Sequence, residues 1–357
     1  MTAANIADRV VEMAVASMES ASVTIGARLG WWAAIADAGE AGIDANTLAK
    51  RSATHPRYVR EWLEAMGAGG WLVVTADPGA GAPDDRRFTL ASGVRDVLVD
   101  ADNELYLAPL IRQISAAQLS LRTMERAFQT GDGLAWADHD PDVVVAQGDM
   151  NRHSLRNDLP RWIREELPAT ASALDSGAWA ADVGSGHGWA SIGLAETYPN
   201  AKLHAYDLDA PSVEAARTHV HEAGLDGRVT VHAEPISASR DGTYRLVVMA
   251  EMLHDVPDPI GLLRACRAAL ADEGVVFVAD MKVGEEYSAP ADIVERMMYG
   301  FSTLVCLADS MTERPSAATG AVMRAATLQS YANEAGFAEV RDLPIVHDTW
   351  RFWALSG

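Results

Sequence analysis

The sequence predicts an α/β chain in which a C-terminal parallel sheet, covered by helices on both faces, follows an N-terminal domain of helices and one hairpin. Three observations carry this. From Ala178 onward, short apolar runs alternate with amphipathic stretches of helical period, the pattern of a parallel sheet buried on both faces. Before Asp102, helix, turn, helix and hairpin signals follow one another. Between these regions, from about Asp102 to Leu174, apolar residues keep a helical period. The chain has 357 residues, 49% of them hydrophobic, which exceeds one ordinary domain. We divide it into a winged-helix domain over 1–100, a helical connector and lid over 101–175, and a sheet domain over 176–357.

The elements follow in order. Ile6, Val10, Met13 and Ser17, then Ile25, Leu29, Trp32 and Ile35, recur at helical spacing and predict two helices before Ala38. Asp44 stands where an N-cap belongs, and Thr54 before Pro56 opens a helix with Tyr58, Val59, Trp62, Leu63 and Met66 on its apolar face, ended by Gly67. Residues 71–75 and 87–90 have strand composition on either side of a Gly/Pro/Asp-rich loop. In the connector, Leu105, Leu110, Ile114, Leu119 and Met124 keep the period until Gly131-Asp132-Gly133 and Pro141 break it. Five strands are expected at 179–183, 203–207, 229–233, 246–250 and 275–280, with helices opened by Pro211 and by Asp258-Pro259. Residues 337–345 and 349–355 read as a terminal hairpin that closes the sheet antiparallel.

The net charge of −21 supplies no positive field for phosphate backbones or anionic lipid, so nucleic acid and membranes are not expected partners. Cys266 and Cys306 sit in apolar helical patterns, far in sequence from any Cys/His cluster. They read as core thiols of a reducing compartment, and no metal is expected. The N-terminus lacks a basic leader pattern and no run approaches ~18 continuous apolar residues, which predicts a soluble, cytoplasmic chain.

The chemistry-bearing motif is Asp182-Val183-Gly184-Ser185-Gly186-His187-Gly188, between a strand and a helix. Glycines there permit a tight turn and let a ligand approach backbone N–H groups at a helix N-terminus. Nineteen residues after Gly188, Asp207 ends the next strand, where a carboxylate can accept hydrogen bonds from both hydroxyls of a ribose. Any adenosine-bearing cofactor fits that pair. The spacing is Gly-x-Gly-x-Gly, whereas the dinucleotide fingerprint is Gly-x-Gly-x-x-Gly with a pyrophosphate at the helix, which disfavours a NAD-linked enzyme. S-adenosylmethionine (SAM) carries an ammonium and a carboxylate instead of phosphate. Asp182 suits the cation, directly or through water, and the turn's N–H groups suit the anion.

On Ala181 to Gly188, Tyr206-Asp207-Leu208, Glu251-Met252-Leu253-His254-Asp255-Val256-Pro257-Asp258-Pro259, Met298-Tyr299-Gly300-Phe301-Ser302, Arg314-Pro315-Ser316 and Gly320-Ala321-Val322-Met323, the sequence resembles the class I SAM-dependent methyltransferases. It is closest to a bacterial group that joins a winged-helix domain to that Rossmann-like fold, related to plant-type O-methyltransferases. The resemblance implies strand order 3-2-1-4-5-7-6, SAM as cofactor, S-adenosylhomocysteine as product, a small-molecule acceptor and a homodimer formed through the N-terminal domain. It places Gly184, Ser185, Gly186, Gly188, Asp207 and Leu208 at the cofactor. One departure concerns the adenine: the third strand ends in His232-Ala233-Glu234-Pro235-Ile236, so either Glu234 acts from a shifted position or backbone and Ile236 hold the ring.

His254-Asp255 lies past the fourth strand, at the carboxyl edge where open α/β sheets place their chemistry. In the plant-type relatives a His-Asp pair at the matching position provides the base, and an imidazole near neutrality suits deprotonation of a phenol or an indole N–H. The other reading of His254 is a helix cap or packing residue. Because neighbours on a strand point apart, Asp255 reads as an orienting or cofactor-facing group. Glu251 contacts the cofactor's amino-acid end, or has a solvated or structural role. Trp136, Met150, His153, Met298 and Tyr299 are candidates for an aromatic and thioether acceptor pocket, or for core. The expected reaction is O-, N- or C-methylation of an aromatic or indole-type secondary metabolite. The alternative is a ligand-sensing transcriptional regulator whose Lys50, Arg51, Arg57 and Arg60 meet DNA, although Asp44, Glu61, Glu64, Asp84 and Asp85 dilute them.

Overall fold

In the computed structural model, residues 2–240 and 242–357 are described. The chain divides into two compact units, one formed by residues 1–116 with 145–150 and the other by 117–144 with 151–357.

The first unit opens with the helices Ala3–Arg28 and Trp31–Ala38, followed by Ala45–Ser52 and Pro56–Ala68. Asp44 caps the third through the Thr47 N–H at 2.8 Å. The fourth is capped by His55 rather than Thr54, because His55 Nδ1 accepts from the Arg57 N–H, and it runs one residue past Gly67. Strands β1 (Leu72–Ala76) and β2 (Arg87–Leu90) form the antiparallel hairpin. Trp31 and Trp32 each meet Trp62 edge-on at 4.9 Å, at the centre of a core with Ile35, Leu48, Leu63, Met66 and Phe88. The helix Ala3–Arg28 packs little of its length. Val10, Met13 and Met18 are 59%, 63% and 64% exposed. By length and composition this helix is apolar enough to cross a membrane, although isolated charges interrupt its apolar run.

The second unit carries a seven-stranded sheet of β3 (Trp179–Val183), β4 (Lys202–Tyr206), β5 (Val229–His232), β6 (Tyr244–Ala250), β7 (Leu270–Met281), β8 (Glu339–Leu343) and β9 (Trp350–Ser356). Its order is β5-β4-β3-β6-β7-β9-β8, parallel up to β7, with β9 antiparallel to both β7 and β8. That is the expected 3-2-1-4-5-7-6 order. Both faces are apolar: Leu246, Val248, Phe277, Ala279, Phe352 and Ala354 enter one core, while Val247, Met249, Val276, Val278, Trp353 and Leu355 enter the other.

Residues 101–175 are helical, but they do not stand as a body of their own between boundaries at 100 and 175. Packing explains the difference. The helix Ala108–Ala117 is tied to the first helix by Ser115 and Thr24, whose hydroxyls lie 2.9 Å apart. Helices Leu159–Glu166 and Pro168–Asp175 instead complete the sheet's core, where Trp162 packs on Phe352 with ring centroids 4.8 Å apart.

Phe352 is fully buried among Trp162, Trp350 and Phe277. Phe352→Ala should cost about 3–5 kcal/mol, read as a lowered urea midpoint with unchanged slope.

Candidate active site

The first part of the site is the turn after β3. Gly184, Gly186 and Gly188 have φ of 65°, 50° and 80°, values that side chains resist. The N–H groups of Gly184 and Ser185 both donate to the carbonyl of Tyr206, at 2.9 and 3.1 Å, so the turn is pinned to the end of β4. Asp207, next in the chain, accepts from the Gly186 N–H at 2.7 Å and from the Asp209 N–H at 2.9 Å. A side chain added at Gly186 would meet open space, and the Ser185 hydroxyl is buried without a hydrogen-bond partner.

Asp182 is buried, and one of its oxygens accepts from both the N–H and the hydroxyl of Ser191, at 3.1 and 2.9 Å. Burial pushes this carboxyl up to about 6 against the opposing Ser191 bonds. Asp182 thereby secures the first turn of helix Trp189–Thr197 and shapes the loop. Leu208 is exposed, Ile236 is buried, and Glu234 is exposed with its carboxylate 3.4 Å from His232 Nδ1.

The second part surrounds His254, on a short turn of 3₁₀-helix, Leu253–Asp255, after β6. The ring is buried. Nδ1–H donates to Asp280 Oδ1 at 2.7 Å, and Nε2 lies 3.3 Å from Asp255 Oδ1. The 3₁₀ turn revises the expectation that Asp255 points away, since neighbours on a tight helical turn converge where neighbours on a strand diverge. Cys306 also converges here, at the end of a π-helical turn, Ser302–Cys306. Its sulfur and the ligand atoms of His254 and Asp255 lie within 4.8 Å of one another. Cys306 is thus corrected from a core thiol to a member of the cluster. Cys266 is the core thiol, its sulfur 4.0 Å from that of Met249.

Burial alone would lower the His254 pKa, but the Asp255 and Asp280 carboxylates, with the Asp280 and Cys306 hydrogen bonds, outweigh it and hold it well above 6.5. Burial pushes Asp255 up to about 7 despite the imidazolium, and Asp309 up to about 6. These neighbours therefore favour the protonated ring, a revision of the near-neutral value expected from an imidazole alone.

The other candidates scatter. Glu251 is held at a φ of 51° and its two oxygens accept from Asn151 Nδ2 and Trp350 Nε1, so it ties β6 to β9. Trp136 joins the cluster through its backbone, whose N–H donates to Asp309 Oδ1 at 2.9 Å. His153 faces Asn157, 3.3 Å away, and Asp158. Met298 is buried, while the Tyr299 hydroxyl accepts from Arg324 at 3.3 Å. Met150 belongs to the N-terminal unit. Sequence reasoning missed Asp280, Cys306 and Asp309, each distant in sequence from the histidine. The one available signal for Asp280 was an acid ending an otherwise apolar strand.

The raised Asp255 pKa has a definite sign. The folded state favours the neutral carboxyl, so its contribution to stability is greatest below about pH 4 and is lost as pH rises through about 7. Calorimetric melting temperatures should show Asp255→Asn losing this dependence between those limits, with a flatter profile than wild type.

Residues 181–276 match the family model for a methyltransferase domain. Over 138 residues the chain is 33% identical to the ubiquinone biosynthesis O-methyltransferase of Xanthomonas euvesicatoria pv. vesicatoria, covering 36% of this chain and 56% of that protein. The chain thus spans about half the length of the curated relatives it matches. Among solved structures it resembles an O-methyltransferase family protein from Burkholderia thailandensis, with a TM-score of 0.69 at 15% identity, covering 100% of this chain and 98% of that one. It also resembles human N-acetylserotonin methyltransferase in complex with SAM, with a TM-score of 0.67 at 15% identity, covering 98% and 97%. Residues 181–276 thus match a methyltransferase domain, and the chain as a whole shares the fold of solved O-methyltransferase-family structures.

Proposed function

We propose that the chain is a SAM-dependent methyltransferase of a small, aromatic or indole-type secondary metabolite, with His254 as the general base. One juxtaposition carries the reading: the glycine turn after β3 and Asp207 at the end of β4 share the carboxyl edge of the sheet with the His254–Asp280 pair after β6. The unpartnered Ser185 hydroxyl and the open space at Gly186 fit a polar ligand seated on the turn. Gly184, Ser185, Gly186 and Gly188 would receive the amino-acid end, Asp207 the ribose, and Leu208, Ile236 and Glu234 the adenine. When bound, SAM supplies an activated methyl group on a sulfonium leaving group.

The chain's own share is alignment and proton handling. Alignment is worth roughly 7–11 kcal/mol as effective molarity. Asp280 fixes the His254 ring through Nδ1 and leaves Nε2 to take the acceptor's proton. Because the ring starts protonated, it must first lose that proton, and the active fraction grows toward alkaline pH.

For the N-terminal unit we propose homodimerisation: a second copy of helix Ala3–Arg28 would cover its exposed apolar residues. DNA reading is disfavoured because Arg57 pairs with Glu61, Arg60 with Asp84, Arg86 with Glu64 and Arg87 with Asp44.

Titration calorimetry should show SAM binding, weakened by about 1.5–3 kcal/mol in Asp207→Ala, the worth of charge-assisted hydrogen bonds. With an acceptor found by methyl-transfer screening, His254→Ala should keep SAM affinity within a few-fold of wild type while turnover falls about 10²–10⁴-fold. Wild-type kcat/KM should rise through an inflection above pH 6.5, and Asp280→Asn should move that inflection down. Activity loss that merely tracks unfolding would remove His254 as the base. Light scattering should give a dimer that Val10→Asp weakens, without a mobility shift on low-salt DNA. A monomer, a shifted DNA band, or co-sedimentation with lipid vesicles would overturn this reading of the unit.

A further inference from the structure

We propose that the chain binds a thiophilic divalent cation, zinc foremost, through His254 Nε2, the Asp255 carboxylate and the Cys306 sulfur. The three donor atoms lie within 4.8 Å of one another. Ligand bonds of about 2.0–2.3 Å put tetrahedral donors roughly 3.3–3.8 Å apart, so closure on an ion takes a contraction of ~1 Å. A nitrogen, an oxygen and a sulfur form a borderline-soft set, which suits zinc and not magnesium or calcium.

Two further observations point to a ligand. His254 Nδ1 is committed to Asp280 Oδ1, which turns Nε2 toward Asp255 and Cys306. A carboxylate behind an imidazole is the arrangement that orients zinc-binding histidines and fixes their tautomer. Asp255 Oδ1, the oxygen nearest Nε2 at 3.3 Å, is buried and makes no well-formed hydrogen bond, and an ion held between the two atoms would replace the ring proton as its partner. Asp309 adds negative charge within electrostatic reach of the ring. On binding, metal–nitrogen, metal–oxygen and metal–sulfur bonds form, the protons held by the ring's Nε2, the Asp255 carboxyl and the thiol leave to solvent, and no electron is transferred. Three protein ligands leave a fourth position for water.

The site does not depend on catalysis, but its consequence rests on the base reading: a cation on Nε2 occupies the lone pair that would take the acceptor's proton. Zinc would then act as a reversible inhibitor.

Tag-free, chelator-treated chain is titrated with zinc chloride by calorimetry and with cobalt chloride by absorption. One equivalent should bind, and cobalt should give a thiolate charge-transfer band. The chain has two cysteines and Cys266 is buried in the core against Met249, so that band reports Cys306. Cys306→Ser should abolish the band and raise the zinc Kd by ~100-fold or more, with folding checked by circular dichroism. If that variant does not fold, Asp255→Asn replaces it, keeping the thiol while raising Kd by ~10-fold or more. No saturable heat and no band in wild type, or binding that survives both substitutions, overturns the site. In a methyl-transfer assay zinc should inhibit and chelator restore. Binding without inhibition keeps the site and removes His254 as base, whereas activity without zinc binding removes the site and keeps the enzyme.

Discussion

The turn after β3 is closed against its neighbour, and the rest of the cofactor edge depends on that. Two N–H groups of the turn reach the last carbonyl of β4, a third reaches the Asp207 carboxylate, and from beneath Asp182 grips the first turn of the following helix through Ser191. Each bond joins segments that are remote in sequence, so turn, second strand and helix share one geometry. Five backbone or hydroxyl donors also satisfy groups that would otherwise be costly to bury. The conformation needs positive φ at alternate residues, which is why three glycines appear in five positions.

One strand over, the problem is electrostatic. Three carboxylates and a thiol gather around a single imidazole with little water to separate them. Burial opposes charge on Asp255 and Asp309 and raises both pKa values, while the neighbouring carboxylates raise that of the ring. The result is a set of proton-binding groups at the edge of the sheet that holds the glycine turn, and Asp280 holds the ring's Nδ1, which leaves Nε2 to exchange.

The centre of the sheet was legible in the sequence because β3, β6 and β7 carry apolar runs with flanking turn residues, and β3 ends at the glycine signature. The boundaries moved by a few residues at most, as at the start of β7, where Leu270 already pairs with Tyr244. Asp207 and the turn were readable because their chemistry is local. His254 was readable by position, but its partners were not: Asp280, Cys306 and Asp309 arrive from later segments, and only the fold makes them neighbours. Asp182 and Glu251 have framework partners that the sequence did not reveal, one in Ser191 and the other in Asn151 and Trp350. The connector's fate was hidden for the same reason, since helical period says which face is apolar and not which core receives it.

The π-helical turn that delivers Cys306 has an evolutionary consequence. Such a turn amounts to one residue more than an α-helix would hold over the same span. Loss of a single codon between Ser302 and Cys306 would restore regular winding and leave the flanking turns on their present faces. Only the residues inside the turn, Cys306 among them, would be re-aimed, so the sulfur beside His254 could be gained or shed in one genetic step without rebuilding the sheet that supports it.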